Sequence, residues 1–263
     1  MRSSSPPLGE LLLAPWRRVV SCIFFAWWAV LAAGGVGCRS NTEPQADQAS
    51  LENDVPFNAN PPVIDGVLGD AWSDAFHGEL RLGDGRSLPR YRTRYHLLWS
   101  ASALLLAFEC EDPDVSGRYT KRDEPLYLDE VVEVFLDPDA DRKNYVEIEV
   151  SPRNVLFDAS FRARRQGMDL AWDPPLQSAV AVDGTIDDDT DHDRGWAVEL
   201  SVPFAALEGQ GRMPPRPGDA WRVNLFRLDK SFGREEASML RPAGGDFHNL
   251  DAFATVRFSA PGR

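Results

Sequence analysis

Beyond Pro61-Pro62 the chain breaks into short apolar runs separated by Gly, Pro and Asp clusters, the pattern of many strands joined by turns. Eight segments read as strands: Thr93–Trp99, Leu104–Glu111, Val131–Asp137, Tyr145–Val150, Val155–Phe161, Trp196–Val202, Trp221–Leu228 and Phe253–Phe258. In Tyr145-Val146-Glu147-Ile148-Glu149-Val150 the three aliphatics take one face and Tyr145, Glu147 and Glu149 the other. Leu104 to Phe108 is apolar throughout, as expected of a strand covered on both faces. Gly69–Ala75, and Phe204–Leu207 after Pro203, read as single helical turns, and there is no internal repeat. These signals predict an all-β chain folded as a two-sheet antiparallel β-sandwich of jelly-roll type with one or two short helical turns.

The first sixty residues have a different texture. Arg2, Arg17 and Arg18 precede an apolar run from Val19 to Ala33, and small residues lead from there to Cys38. At about 15 residues the run is shorter than the ~20 a membrane-spanning helix needs. The sequence Gly34-Gly35-Val36-Gly37-Cys38 resembles a bacterial lipoprotein cleavage box, although Gly35 stands where such boxes carry leucine. The reading is a signal peptide over 1–37, lipidation at Cys38, a polar flexible tether over 38–60 and the sandwich over 61–260; an ordinary signal peptide cut near Gly37 is the alternative. An exported, envelope-localised protein that meets the membrane only through its N-terminal lipid follows. Of three cysteines, Cys22 leaves with the signal and Cys38 is acylated, so Cys110 stays single, a small buried hydrophobe in an apolar strand.

Composition narrows the partners. A chain that is 43% hydrophobic and 10% aromatic can build a core, and a net charge of −13 repels phosphate backbones and anionic lipid headgroups. Nucleic acid is excluded as a partner on that ground.

The order of motifs from Pro62 to Phe258 resembles the family 9 carbohydrate-binding modules. The residues that carry the likeness are Pro62-Val63-Ile64-Asp65-Gly66 with Asp70-Ala71-Trp72, Leu97-Leu98-Trp99 and Glu111-Asp112-Pro113-Asp114. They continue in Asp129-Glu130-Val131-Val132-Glu133-Val134-Phe135-Leu136-Asp137-Pro138-Asp139, then Gly195-Trp196 with Val202-Pro203-Phe204. Gly218-Asp219-Ala220-Trp221 and Phe247-His248-Asn249-Leu250-Asp251 close the series. The resemblance implies a non-catalytic domain that binds a carbohydrate ligand, needs no cofactor, and is associated with xylan-type polysaccharide breakdown through partner hydrolases.

Sugar rings stack their C–H faces on aromatics, and their hydroxyls seek carboxylate, amide or guanidinium partners. Where the family clamps the ring with two tryptophans, the matching positions here are Tyr127 and Phe247. Glu133 matches the acidic sugar contact, and Glu149 replaces an arginine expected on the neighbouring strand. Arg227 and His248 complete the expected ligand set. Glu133, Glu147 and Glu149 are expected on one sheet face, first as solvated or ion-paired groups, second as sugar or metal contacts, third as a hydrolase pair. Asp137, Asp139 and Asp141 have the alternating acids of a calcium loop without the EF-hand pattern, so structural Ca²⁺ competes there with simple turn chemistry. Trp72, Trp99, Trp196 and Trp221 read as core residues, and Trp172 as a candidate for the ligand face. The alternative functions are an envelope protein-interaction module that kept the sandwich and lost sugar binding, and a glycoside hydrolase using Glu133 with Glu147 or Glu149.

Overall fold

A computed structural model describes residues 53–261, so the predicted signal peptide and Cys38 lie outside the described residues. Thirteen strands follow in order: β1 Asn53–Val55, β2 Phe76–Glu79, β3 Arg81–Leu82, β4 Thr93–Trp99, β5 Ala103–Glu111, β6 Val131–Asp137 and β7 Tyr145–Val150. Then come β8 Leu156–Phe161, β9 Gln177–Asp183, β10 Gly195–Pro203, β11 Ala220–Asp229, β12 Glu236–Met239 and β13 Ala254–Phe258. They form an eight-stranded sheet in the order β1-β13-β11-β6-β7-β8, with β12 pairing β11 and β3, and a five-stranded sheet in the order β2-β4-β5-β10-β9. All pairings between these strands are antiparallel except β1 with β13. The all-β sandwich predicted from the alternation is the fold, and its helical content is short 3₁₀ turns, including Asp70–Trp72 and Phe204–Leu207.

Alternation sets which face each side chain takes. Val132, Val134 and Leu136 of β6, Val146, Ile148 and Val150 of β7, and Trp221, Val223 and Leu225 of β11 point from the larger sheet toward Leu104, Leu106, Phe108, Trp196, Val198 and Leu200 of the smaller one. Each side chain this size stabilises by about 1.5–3 kcal/mol when fully buried. Cys110 is enclosed in the same layer, where burial pushes its thiol up to about 12, so it packs as a hydrophobe.

One predicted boundary moves. The tether was expected to run to residue 60, but Asn53–Val55 is a strand of the larger sheet, with Val55 fully buried and paired to Phe258. Phe57 then packs edge-on against Trp99 at 4.8 Å. A three-residue strand is too short to show a period in sequence, so the polar residues around it conceal it.

Both sheets carry a second apolar layer on their outer faces. On the smaller sheet, Trp72, Leu98, Leu105 and Ala107 form it, and the segment after Pro62 is fastened there by a single carboxylate. Glu199 of β10 accepts the backbone N–H groups of Asp65 and Gly66, each at 2.7 Å, and the Trp72 indole N–H at 2.6 Å. Gly66 has φ +89°, and a Cβ there would sit 3.0 Å from the backbone of Val180 and Ala181. That is the physical content of the Asp65-Gly66 and Trp72 motif. On the larger sheet the outer layer is aromatic, and the candidate site lies in it.

Candidate functional site

The register of the larger sheet builds the site. Phe226 of β11 stands opposite Glu133 of β6, Glu133 opposite Glu149 of β7, and Glu149 opposite Phe157 of β8. The next row is Asn224, Phe135, Glu147 and Ala159. Because neighbouring strands lie ~4.8 Å apart, the first row is a strip roughly 14 Å long with a phenylalanine at each end and two carboxylates between them.

Both predicted clamp residues lie on that strip. Phe247 stacks on Phe226 with ring centroids 4.0 Å apart and planes 10° from parallel. Tyr127, on the 3₁₀ turn Leu126–Leu128, meets Phe157 edge-on at 5.7 Å. Tyr127 stays 38% exposed, whereas Glu133 and Glu149 are closed off at 1% and 0%. The expected shared face for Glu133, Glu147 and Glu149 is therefore correct, and the expectation that they are solvated or ion-paired is not. No ion pair joins them to Lys, Arg or His among the described residues. Glu133 Oε1 and both oxygens of Glu149 have no hydrogen-bond partner.

Burial raises all three carboxyls. Glu133 is pushed well above the ordinary range by desolvation and then by the charge of Glu147, and Glu149 by desolvation and then by Glu133 and Glu147. The Tyr127 amide eases the Glu149 shift without reaching hydrogen-bond geometry. Glu147 rises to about 7, again by burial; the Glu149 carboxyl, turned toward it as a donor without reaching hydrogen-bond geometry, and the Arg165 charge oppose the shift. Like charges directly opposite on neighbouring strands repel, so this face is electrostatically unfinished.

His248 sits at the rim. The Arg165 backbone N–H donates to the Tyr145 hydroxyl at 3.2 Å, which directs the hydroxyl's own proton to His248 Nδ1 at 2.6 Å. A neutral ring accepting at Nδ1 carries its proton on Nε2. Burial drives the His248 pKa down to about 4, with Arg165 adding to the shift, so the ring is neutral at pH 7.

Arg227 does not join this face. It follows Leu225 on the inward side of β11 and is 1% exposed, lying over the Trp196 ring at 5.2 Å. Its Nε donates to Glu130 at 2.8 Å and its Nη2 to Asp112 at 3.0 Å. Burial alone would lower its pKa; Glu130, Asp112 and Asp229 raise it instead. Burial also drives the Glu130 carboxyl up to about 8, yet this carboxylate accepts from Arg227 and from the Lys230 N–H at 2.7 Å, the surroundings of an ion, so the pair is ionised. The expectation of Arg227 as a ligand contact is corrected: the guanidinium is a structural cation between the sheets. Trp172 is corrected as well, since it packs against the inter-sheet core and its indole N–H donates to the Ala206 carbonyl at 3.3 Å.

Comparison with known proteins fits this geometry. Residues 64–255 match the family described as carbohydrate family 9 binding domain-like. This chain belongs to that family. The family 9-like domain has a relative named as an extracellular protein in Arthroderma benhamiae, 26% identical over 211 residues, which are 76% of this chain and 92% of the relative. Its fold is also that of a family 9 carbohydrate-binding module from Caldicellulosiruptor kristjanssonii in complex with cellotriose, at 17% identity and a TM-score of 0.57 over 79% of this chain and 93% of the other. The glucose complex of a family 9 module from the same organism gives 17% and 0.55 over 80% and 98%. A carbohydrate-binding protein described as putative, from Bacteroides uniformis, gives 15% and 0.57 over 71% and 88%.

In the family 9-like domain the acidic loop after β6 brings ligand oxygens of Asp137, Asp139 and Asp141 within 4.8 Å of one another. Asp137 is fully buried and its Oδ1 has no partner, while Oδ2 accepts the Arg142 N–H at 3.0 Å. Burial raises its pKa to about 6, with Asp139 and Asp141 adding to the shift. Asp139 and Asp141 are exposed and accept the N–H groups of Asp141 and Lys143 as turn residues do. The donor set suits a hard cation, with one buried oxygen offering a ligand position. The sequence reading does not single out Phe135, Phe157 and Phe226, although Phe157 and Phe226 are the rings on which Tyr127 and Phe247 rest. The alternation that put Glu133 and Glu149 outward also puts Phe135 outward, so that signal was present.

Proposed function

We propose that this chain is a non-catalytic carbohydrate-binding protein, exported and lipid-anchored through Cys38 in the cell envelope, that holds its sugar on the outer face of the larger sheet between Tyr127 and Phe247. The observation that carries the reading is the register row itself: two aromatic pairs bracket carboxylates whose buried oxygens lack donors, and sugar hydroxyls are donors. Family membership supports it, as do the cellotriose and glucose bound by the two family 9 modules of the same fold. The export reading is supported by the signal-like N-terminus and by the extracellular relative. Any part in xylan-type breakdown belongs to partner hydrolases. Structural Ca²⁺, where bound, would be held by Asp137, Asp139 and Asp141.

One observation favours a second reading, an envelope interaction module without sugar binding: Tyr127 and Phe247 rest on the floor aromatics, and the carboxylates beneath are closed. A glycan screen of the full chain, with cello- and xylo-oligosaccharides, separates the two. Stacking on each ring is worth about 1.5 kcal/mol, so Tyr127→Ala and Phe247→Ala should each weaken binding about tenfold. Folded wild-type protein that binds no glycan decides for the interaction module.

A further inference from the structure

We propose that Glu133, Glu147 and Glu149 form a divalent-cation site on the outer face of the larger sheet, with Ca²⁺ as its best-fitting ion. Each glutamate offers an oxygen, and these lie within 4.8 Å of one another. Two ligands on opposite sides of Ca²⁺ stand up to about 5 Å apart, so one ion can touch all three with small side-chain adjustments. The ligands are all carboxylate, with neither imidazole nor thiolate among them, and such a set selects a hard cation.

Acidic residues often gather without binding metal, and a further observation sets these apart. Glu149 is fully buried with both oxygens unpartnered, and Glu133, 1% exposed, leaves Oε1 unpartnered within the same cluster. A cation among the three side chains supplies a partner to one oxygen of each glutamate. The other buried acidic trio of the domain, Asp112, Glu130 and Asp229, shows what a resident cation does: the Arg227 guanidinium lies among those carboxylates. Nothing equivalent serves the outer trio among the described residues, since Arg165 approaches Glu147 only at long range and is ion-paired to Asp246 at 2.7 Å. β6 and β7 hold the three ligands on paired, fully buried strands, so the site is preformed.

This site takes the same buried oxygens that the sugar reading counts, and to that extent rests on it; titrating Ca²⁺ without sugar keeps the failure of one distinguishable from the failure of the other. The test is calorimetric titration of the chelator-treated full chain with Ca²⁺, without sugar, in wild type, Glu133→Gln, Glu149→Gln and Asp139→Asn. The expected result is a Ca²⁺ site weakened about 100-fold by either glutamine and retained in Asp139→Asn. A Ca²⁺-induced rise in Tm should vanish in the same two variants. Melting in chelator checks their folding, and glutamine keeps the shape of the side chain it replaces. Wild-type protein that binds neither Ca²⁺, Mg²⁺ nor Mn²⁺ overturns the proposal, leaving protons to neutralise the trio. So does a Ca²⁺ titration whose number of sites and affinities are the same in both glutamine variants as in wild type, or one in which every site is lost in Asp139→Asn alone, either of which places all bound ion in the β6–β7 loop. Sugar binding measured separately in chelator reports on the other reading.

Discussion

Two trios of buried carboxylates lie within one sandwich, and they differ in what surrounds them. The inner trio has a donor for every oxygen: Glu130 takes Arg227 and Lys230 N–H, Asp112 takes Arg227 and Asp114 N–H, and Asp229 takes Arg90 and Ser231 N–H. Two guanidiniums thus face three carboxylates. The outer trio has no ion-pair partner among the described residues and leaves three oxygens without donors. Ligand-seeking chemistry is marked here by incompleteness, since both trios are equally buried and equally acidic. A completed cluster fixes the fold, as Arg227 does by tying β11 to the segments at Asp112 and Glu130, whereas an incomplete one keeps free energy available for something outside the chain.

The contrast is broken most directly at Arg227. Arg227→Met keeps the bulk of the side chain and strands Glu130 and Asp112 between the sheets, where unpaired charge is costly, so unfolding in urea should show a loss of about 3–5 kcal/mol. A loss below ~1 kcal/mol would mean that the inner trio is neutralised by protons as well, and the two clusters would no longer differ in kind.

A smaller effect should appear with pH. The folded-state pKa of His248 is about 4, below its ordinary 6.5, so the folded protein binds this proton less readily than the unfolded chain does. Its contribution to stability is therefore present above pH 6.5 and is lost as the pH falls through 4. The groups facing it are Tyr145, Arg164, Arg165 and Asp246, of which both arginines oppose protonation and Asp246 favours it. Because the ring is partly exposed, the difference between wild type and His248→Gln should shrink by roughly 2 kcal/mol between pH 7.5 and pH 4. Parallel curves for the two proteins across that range would show that the outer rim tolerates charge.

How far this arrangement is legible in sequence depends on the length scale of each signal. Strands β4, β5, β6, β7, β10 and β11 are each six or more residues long with inward aliphatics, and their pattern is plain in the chain. β1, β3 and β12 have two to four residues and show no period, and β9, Gln177–Asp183, is half-buried along most of its length, so its small apolar residues do not contrast with polar ones. At the site, alternation placed Glu133, Glu147 and Glu149 together, and the family likeness placed Tyr127 and Phe247 near them. The side taken by Arg227 followed from the same alternation, since Trp221, Val223 and Leu225 share its parity. An inward arginine contradicts the usual burial preference, and only the convergence of Asp112, Glu130 and Asp229 from distant segments makes it reasonable. Closure of the outer trio depends on how Tyr127 settles on Phe157, a contact across thirty residues that no local pattern encodes.

The finest test substitutes the same atom in both trios. In Glu149→Gln the carboxamide replaces a carboxyl whose ionisation is opposed by burial and by Glu133 and Glu147, and it brings two N–H donors within reach of those two neighbours. Measured in chelator at pH 7.5, this variant should be unchanged or more stable by about 1 kcal/mol. Glu130→Gln makes the identical chemical change where Arg227 and Lys230 N–H already donate, so the new amide N–H₂ confronts donors instead of acceptors and the protein should lose stability. Opposite signs from one substitution type would establish that the inner trio is complete and the outer one is not. If both variants lose stability equally, the outer carboxylates already have partners, and neither a cation nor a sugar is needed to account for them.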